Sequence, residues 1–338
     1  MKKVSSLLIA FCITISIQGQ KIRGTVKDTN TGALIENATI FFSGTSSGVY
    51  SGKDGSFAID ISQFSGMPLS VSALGYYSSS IQKPDPENHY TVLLSPKTYE
   101  LNEVVVQAKG RAYKAHWRRD MEQFKKQFLG ESLNAMNCEI LNETDIYFAK
   151  KDETLVAYAF KPVIIENARL GYKVTYFLDR FEYTPKTYSL LIRGEIIFED
   201  KLKAYKSNQA KRIEQRRETS YLGSRMHFFR SLWENKLDSS GFEIKNEQNE
   251  KLGYDTLVVE DKKSKVTTLN KFMHYPADLK IAFFTKDPES TLKLNAEYVY
   301  FEKCGYFEPL DVAWGGKMSR QRIGDLLPFD YEFEKSKK

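Results

Sequence analysis

The sequence predicts two folded units in series: an all-β sandwich of about seven strands, followed by an α+β unit. Three observations carry this reading. Turn signals recur about every ten residues between Ile22 and Leu94, as in antiparallel sandwiches. No amphipathic helical period interrupts that stretch. From Ala112 onward a helical period takes over, and long apolar-alternating runs then share the chain with a second helical pattern.

The first twenty residues set the compartment. Lys2 and Lys3 precede the apolar run Ser5 to Ile17, and Gln18-Gly19-Gln20 follow, the order of a secretory signal peptide, assigned to residues 1–20. As a helix that run spans roughly 20 Å, less than the ~30 Å a membrane span must cross. Cleavage near Gln20 is therefore expected rather than anchoring. Bulky Phe11 before Cys12 argues against a lipidation site. The whole chain carries 49 basic and 43 acidic residues. Removing Lys2 and Lys3 leaves 47 − 43 = +4, a mild excess that suits solubility and excludes nucleic acid as the expected partner. Cys138 and Cys304 are then the remaining thiols. A disulfide between them and two separate buried thiols both fit the sequence.

The sandwich is assigned to residues 21–98, as the runs IRGTVKD, NATIFFSG, SGVYSG, GSFAIDIS, LSVSALGY, YYSSSIQ and HYTVLLS. Gly44, Asp54 and Gly55 are expected to be turn residues, with Asp54-Gly55 forming a tight primed hairpin turn. Asp28-Thr29-Asn30-Thr31-Gly32 resembles the start of a calcium loop, but its glycine comes one position early and the twelfth position lacks Glu. A plain turn is the reading.

The strings IRGTVKD, TGALIENATIFFSGTSSGVYSGKDGSFAI, LSVSALGYYSSSI and LNEVVVQAKG together resemble the carboxypeptidase-regulatory-like domain, over residues 21 to 106. That domain stands at the front of many exported proteins, including TonB-dependent outer-membrane receptors. The resemblance implies a transthyretin-like sandwich. It does not imply peptidase activity, because the catalytic domain of the carboxypeptidases is a different unit.

Residues 99–112, with LNEVVVQAKG, form a linker or final strand, and residues 113–338 the α+β unit. In AYKAHWRRDMEQFKKQFLG, Trp117, Met121, Phe124 and Phe128 share one helix face, with Gly130 placed to stop the helix. Asp120 and Glu122 interrupt its basic face, which favours packing over lying on a membrane. About eight to ten strands are expected in this unit, with a second helix in SYLGSRMHFFRSLWENKL carrying Met226, Phe229, Trp233 and Leu237 on one face and Gly241 as terminator. YLGSRMHFFRSLWENKL, IIENARLGYKVTYFLDRF and RQRIGDLLPFDYEF also resemble segments of a family of exported proteins that carry the same front domain and have no assigned activity.

Few residues carry a chemical signature. His89, His116, His227 and His274 show no zinc-ligand spacing, so no metal or cofactor is assigned. Gly223-Ser224 lacks the frame of a nucleophile elbow. Pairs among the 43 acids could serve glycoside hydrolysis, but their number makes accidental pairs abundant. Arg212, Arg216 and Arg217 lie in a basic run from Asp200 to Ser220 that could dock phosphate or an acidic glycan, and otherwise reads as a solvated loop and helix start. His227 is the best single proton-handling candidate, set against a helix histidine bonded into an aromatic core. A membrane barrel is disfavoured by the polar Lys335-Ser336-Lys337-Lys338 ending and by the helical patterns.

The resulting expectation is an exported, non-catalytic binding or assembly protein of the periplasm or outer membrane, with peripheral membrane association compatible with it. A protein or glycan of the envelope would be its partner, recognised through sandwich loops or a strand edge. The alternative is an envelope hydrolase with its site in the later unit. A concave pocket there holding two acids, or a His beside an acid, would favour that alternative, and a flat surface with only turns would favour the binder.

Overall fold

The structure is a computed structural model and describes residues 20–97, 111–261, 270–284 and 289–333. The expected signal peptide, the LNEVVVQAKG linker and the terminal lysines lie outside the described residues.

Among the described residues seven strands build the front unit: β1 (Lys21–Asp28), β2 (Thr39–Phe42), β3 (Gly48–Tyr50), β4 (Ser56–Asp60), β5 (Leu69–Ser72), β6 (Ser79–Ile81) and β7 (His89–Leu94). They form two sheets, ordered β4-β1-β7 and β3-β2-β5-β6. Alternating residues of β1, including Ile22 and Val26, pack with Ile40, Phe42, Leu69 and Val71 in a core closed to solvent. In β2 all four residues of TIFF are buried, because Phe42 faces this core while Phe41 stacks outward on Phe177 of the later unit.

Two local expectations change. β7 pairs with β1 in parallel, not antiparallel, because the chain reaches that edge by crossing from the other sheet. Asp54-Gly55 does not close a primed hairpin. β3 and β4 belong to different sheets, and the turn is a three-residue connection in which Gly55 N–H donates to Gly52 O at 2.9 Å and Gly52 N–H to Ser56 O at 2.9 Å. Gly55 alone among its three residues takes positive φ, 67°. Asp54 holds the turn by accepting from Ser56 N–H at 3.1 Å and from the Ser56 hydroxyl at 2.7 Å.

The later unit starts with α1 (Arg111–Phe128). It lies on a six-stranded sheet of β8 (Cys138–Ile140), β9 (Ile146–Lys151), β10 (Thr154–Ala159), β11 (Val163–Asn167), β12 (Tyr172–Thr184) and β13 (Ser189–Asp200). The expected stripe is the contact. Phe124 meets Phe181 edge-on at 4.8 Å, Phe128 meets Tyr176 at 4.9 Å, and Trp117 Nε1 donates to Ile146 O at 3.2 Å. Gly130 follows the helix with φ 103°. Long β12 is paired along its whole length with β13, while β11 and β10 share its other edge.

The second helical pattern, from Ser220, becomes α3 (Arg225–Trp233), and a further helix, α2 (Ser207–Tyr221), ends at its start. Gly223 turns the chain at φ 74° and Ser224 Oγ accepts the His227 N–H at 3.0 Å, an N-cap that restarts the helix. Leu237 lies past the end of α3 yet is still buried. Phe228, Phe229 and Leu232 of α3 fill a further core with β14 (Phe242–Lys245), β15 (Val258–Asp261), β16 (Asn270–Met273), β17 (Leu279–Phe283), β18 (Ser290–Leu294), β19 (Val299–Phe301) and β20 (Val312–Gly315). These strands form two sheets, β14-β17-β18-β20 and β15-β16-β19. Among the described residues thirteen strands, β8 to β20, thus replace the expected eight to ten. Several have only three or four residues, too few for alternation to reveal them. Among the described residues none of the sheets closes into a barrel.

Candidate functional site

The sandwich docks on the later unit through its β2–β3 loop. Gly44 N–H donates to Ile196 O at 2.7 Å, Phe198 N–H to Thr45 O at 2.9 Å, and Ile196 N–H to Ser43 Oγ at 3.1 Å. The loop therefore continues the β13 edge, and Thr45 bridges Ile197 in parallel. Gly44 is glycine for two reasons. Its φ is 81°, and a Cβ there would stand 2.6 Å from the ring of Phe329. Phe329 in turn donates its N–H to Gly44 O at 2.7 Å. This loop, which carries the expected turn residue Gly44, is spent on an intramolecular contact.

Where the sandwich, β13, the first turn of α3 and the C-terminal segment meet, they enclose a cavity of about 470 Å³. Its walls hold the carboxylates of Glu195, Glu308 and Asp325, the hydroxyls of Ser43, Ser70 and Ser80, and the rings of Tyr176, Tyr306 and Phe329. Glu195 Oε2 accepts from Ser70 Oγ at 2.9 Å. Burial pushes its carboxyl above the ordinary range. The Ser43 and Ser70 hydroxyls pull it back, and the charges of Asp179 and Glu308 add to the rise. Glu308 accepts from the Tyr306 hydroxyl at 3.0 Å and is likewise raised by burial. Asp325 accepts from Ser132 Oγ at 2.6 Å and Asn134 Nδ2 at 3.1 Å, again with burial raising it. No cation pairs with these three acids among the described residues.

Arg225 supplies positive charge at the start of α3. Its Nε donates to Gln321 Oε1 at 3.2 Å and its Nη2 to Gln321 O at 2.6 Å. Burial, with Arg322 nearby, pushes its pKa down to about 10. Arg193 stands exposed on β13 at the cavity rim. The cavity thus offers acceptors, donors and ring faces together, the composition of a site that orients a polar ligand.

The residues singled out in the sequence fall elsewhere. Arg217 is buried at 4% exposure. Its Nη1 and Nη2 each reach Asp200 at 2.9 Å, its Nε reaches Leu170 O at 2.8 Å, and its plane covers Tyr172 at 3.9 Å. It fastens α2 to the sheet and cannot receive a ligand. Arg216 donates to Arg169 O at 3.4 Å, and Arg212 is exposed on α2; neither lines the cavity. His227 is buried among Tyr221, Phe242 and Phe283, with Nδ1 accepting the Gly223 N–H at 3.1 Å. It is the helix histidine of an aromatic core. Asp28, the calcium-loop candidate, accepts the N–H groups of Asn30 and Thr31 at 2.8 Å each and the Tyr76 hydroxyl at 2.8 Å, so it closes a turn.

The thiols are free. Cys138 donates to Asn134 O at 3.4 Å beside the α1 core, while Cys304 sits 3.7 Å from Met67 Sδ beside the sandwich core. Burial pushes each thiol up to about 12. The disulfide left open by the sequence does not form because the two belong to different cores.

Glu195, Glu308, Asp325 and Arg225 were missed. The available signal was Arg193-Gly194-Glu195, a polar interruption of the apolar strand SLLIRGEIIFED.

The fold and cavity describe a sandwich-fronted α+β protein with a junction site. Residues 22–106 match the family model of the CarboxypepD_reg-like domain, about a quarter of the chain, and the two-sheet sandwich occupies the described part of that range. No curated protein matches the sequence. Among solved structures, a Bacteroides uniformis protein named as a "putative carbohydrate binding protein" aligns at 11% identity, covering 52% of this chain and 78% of that one, with a TM-score of 0.19. That score is too low to place the two chains in one fold.

Proposed function

We propose that this is an exported, non-catalytic binding protein of the cell envelope that holds a polar ligand, a glycan or a protein segment, in the junction cavity. The observation that supports this most is the group of half-buried carboxylates without cationic partners among the described residues, beside hydroxyls and rings in one cavity of about 470 Å³, within the ~300–1,000 Å³ range of small-ligand sites. Sugars and peptides both offer donors for such acceptors and apolar surface for ring faces.

A hydrolase is the second reading, favoured by the very presence of several acids in a concave site. Acid–base hydrolysis needs one carboxyl protonated and its partner ionised. Here burial shifts Glu195, Glu308 and Asp325 in the same direction, upward.

Melting the purified protein against a panel of oligosaccharides and peptides tests the proposal. A specific ligand at a hundred times its Kd adds about 2.7 kcal/mol of stability. Absence of a shift with every member of both classes would sink the binding reading, and turnover of a ligand would replace it with the hydrolase.

A further inference from the structure

β13 has one edge paired with β12 along its full length. Its other edge is covered only at Ile196 and Phe198, by Ser43, Gly44 and Thr45. Ile196 turns both its N–H and its C=O to that outer side. The two-residue period of a strand repeats this orientation at Gly194, Ile192 and Leu190. The one register shift in the pair falls on β12, between Leu178 and Arg180, and leaves the β13 period intact. Among the described residues no backbone group pairs with those outer positions. The open edge runs into the cavity, whose lining includes Ile192, Gly194 and Glu195.

Resting on the binding reading above, we propose that an extended peptide segment adds to this edge as a further strand, collinear with the sandwich loop already docked there. Its chemistry follows from the two sides of the edge. Ile192 and Ile196 share one side with Leu326 and Leu327 of the C-terminal segment, an apolar strip. Glu195 lies on the other side, facing Ser70, with the charge of Glu308 close enough to raise its carboxyl, and exposed Arg193 stands two residues before it on that same side. An added strand therefore places alternate side chains against an apolar surface and against one where Glu195 and Glu308 outnumber Arg193, and the fitting partner alternates apolar with basic residues. Main-chain bonds would hold it, and the alternation would select it.

The test uses capped nine-residue peptides titrated into the full-length mature protein: alternating Lys-Val, the same peptide N-methylated at alternate amides, and alternating Glu-Val. Expected are saturable binding of Lys-Val, at least tenfold weaker binding of the N-methylated and Glu-Val peptides, and slowed hydrogen exchange at the amides of Leu190, Ile192 and Gly194. Ile192→Pro deletes an outward N–H without removing a bond to β12 and should weaken Lys-Val binding at least tenfold. If that variant does not fold, the N-methylated peptide carries the same question. Equal binding of the N-methylated peptide, or these amides already protected in the free protein, overturns the proposal. Saccharide binding without amide protection also overturns it while leaving the broader binding reading intact; failure of both peptides and saccharides removes that reading too.

Discussion

The guanidinium of Arg230 holds the chain at Phe329, its Nη2 donating to the Phe329 carbonyl at 3.1 Å. The same group reaches Tyr331 O and Cys304 O, each at 2.9 Å. Phe329 then passes the connection to the sandwich through its N–H on Gly44 O. One side chain of α3 thereby ties the C-terminal segment, the β19 loop and the front unit around the cavity. Arg230→Ala should cost roughly 3 kcal/mol and expose the chain near Phe329 to limited proteolysis. Arg230→Lys should restore little, because one ammonium cannot span three carbonyls in fork geometry. Denaturant midpoints and cleavage mapping check both.

Gly44 should be intolerant of a side chain. Its φ of 81° and the Phe329 ring 2.6 Å from a built Cβ both oppose substitution. Gly44→Ala is expected to destabilise by about 2–3 kcal/mol. Gly32→Ala shares a positive φ of 70° but meets nothing within 4 Å, so its cost should stay near 1 kcal/mol. Paired melts of the two variants give the comparison.

Such a contrast shows how far the sequence could be read. The stripe Trp117, Met121, Phe124, Phe128 was legible because helical packing repeats locally, and the sandwich because its turns do. The cavity was not, because it joins Ser43 and Ser70 to Glu195 and Glu308 across more than a hundred residues. A carboxylate destined for burial looks like any other of the 43 acids. Alternation revealed β13 as a strand without revealing which edge stays open. The break at Gly223-Ser224 was present as a turn glycine followed by a capping serine, and α2 before it showed only as a helix start because SNQAKRIEQRRETSY is mostly polar.

Arginines of one basic run should separate sharply. Arg217→Ala removes a buried guanidinium bonded to Asp200 and to the carbonyls of Leu170 and Gly171. A loss of about 2–4 kcal/mol is expected, toward the lower end because Asp200 is half exposed. Arg212→Ala, on the exposed face, should stay within about 0.5 kcal/mol and leave ligand affinity unchanged. Urea unfolding of each variant decides this.

Stability should carry the signature of the buried acids. In the folded chain the Glu195 carboxyl is raised, chiefly by burial, so the folded state binds that proton more tightly than the unfolded state. The resulting stability is whole below the ordinary glutamate pKa of ~4.3 and is lost as pH rises through the folded value. Glu195→Gln should therefore gain on the wild type as pH goes from 4 to 8. Asp28 runs the opposite way. The Thr31 N–H, the Tyr76 hydroxyl and the Asn30 N–H lower its carboxyl, so its contribution is lost as pH falls. Urea midpoints across pH check the signs, and a Glu195→Gln advantage that shrinks with rising pH would contradict the assignment.

The most direct test blocks the cavity without disturbing the fold. Ser80 is exposed on β6 and lines the cavity, so Ser80→Trp should fill the space while leaving the melting transition in place. Calorimetric titration of wild type and variant with a ligand found by screening, followed by mass analysis of that ligand, should show binding lost at least tenfold in the variant and the ligand recovered unaltered. Equal affinity in the two proteins, or a cleaved ligand recovered from the wild type alone, would contradict the account.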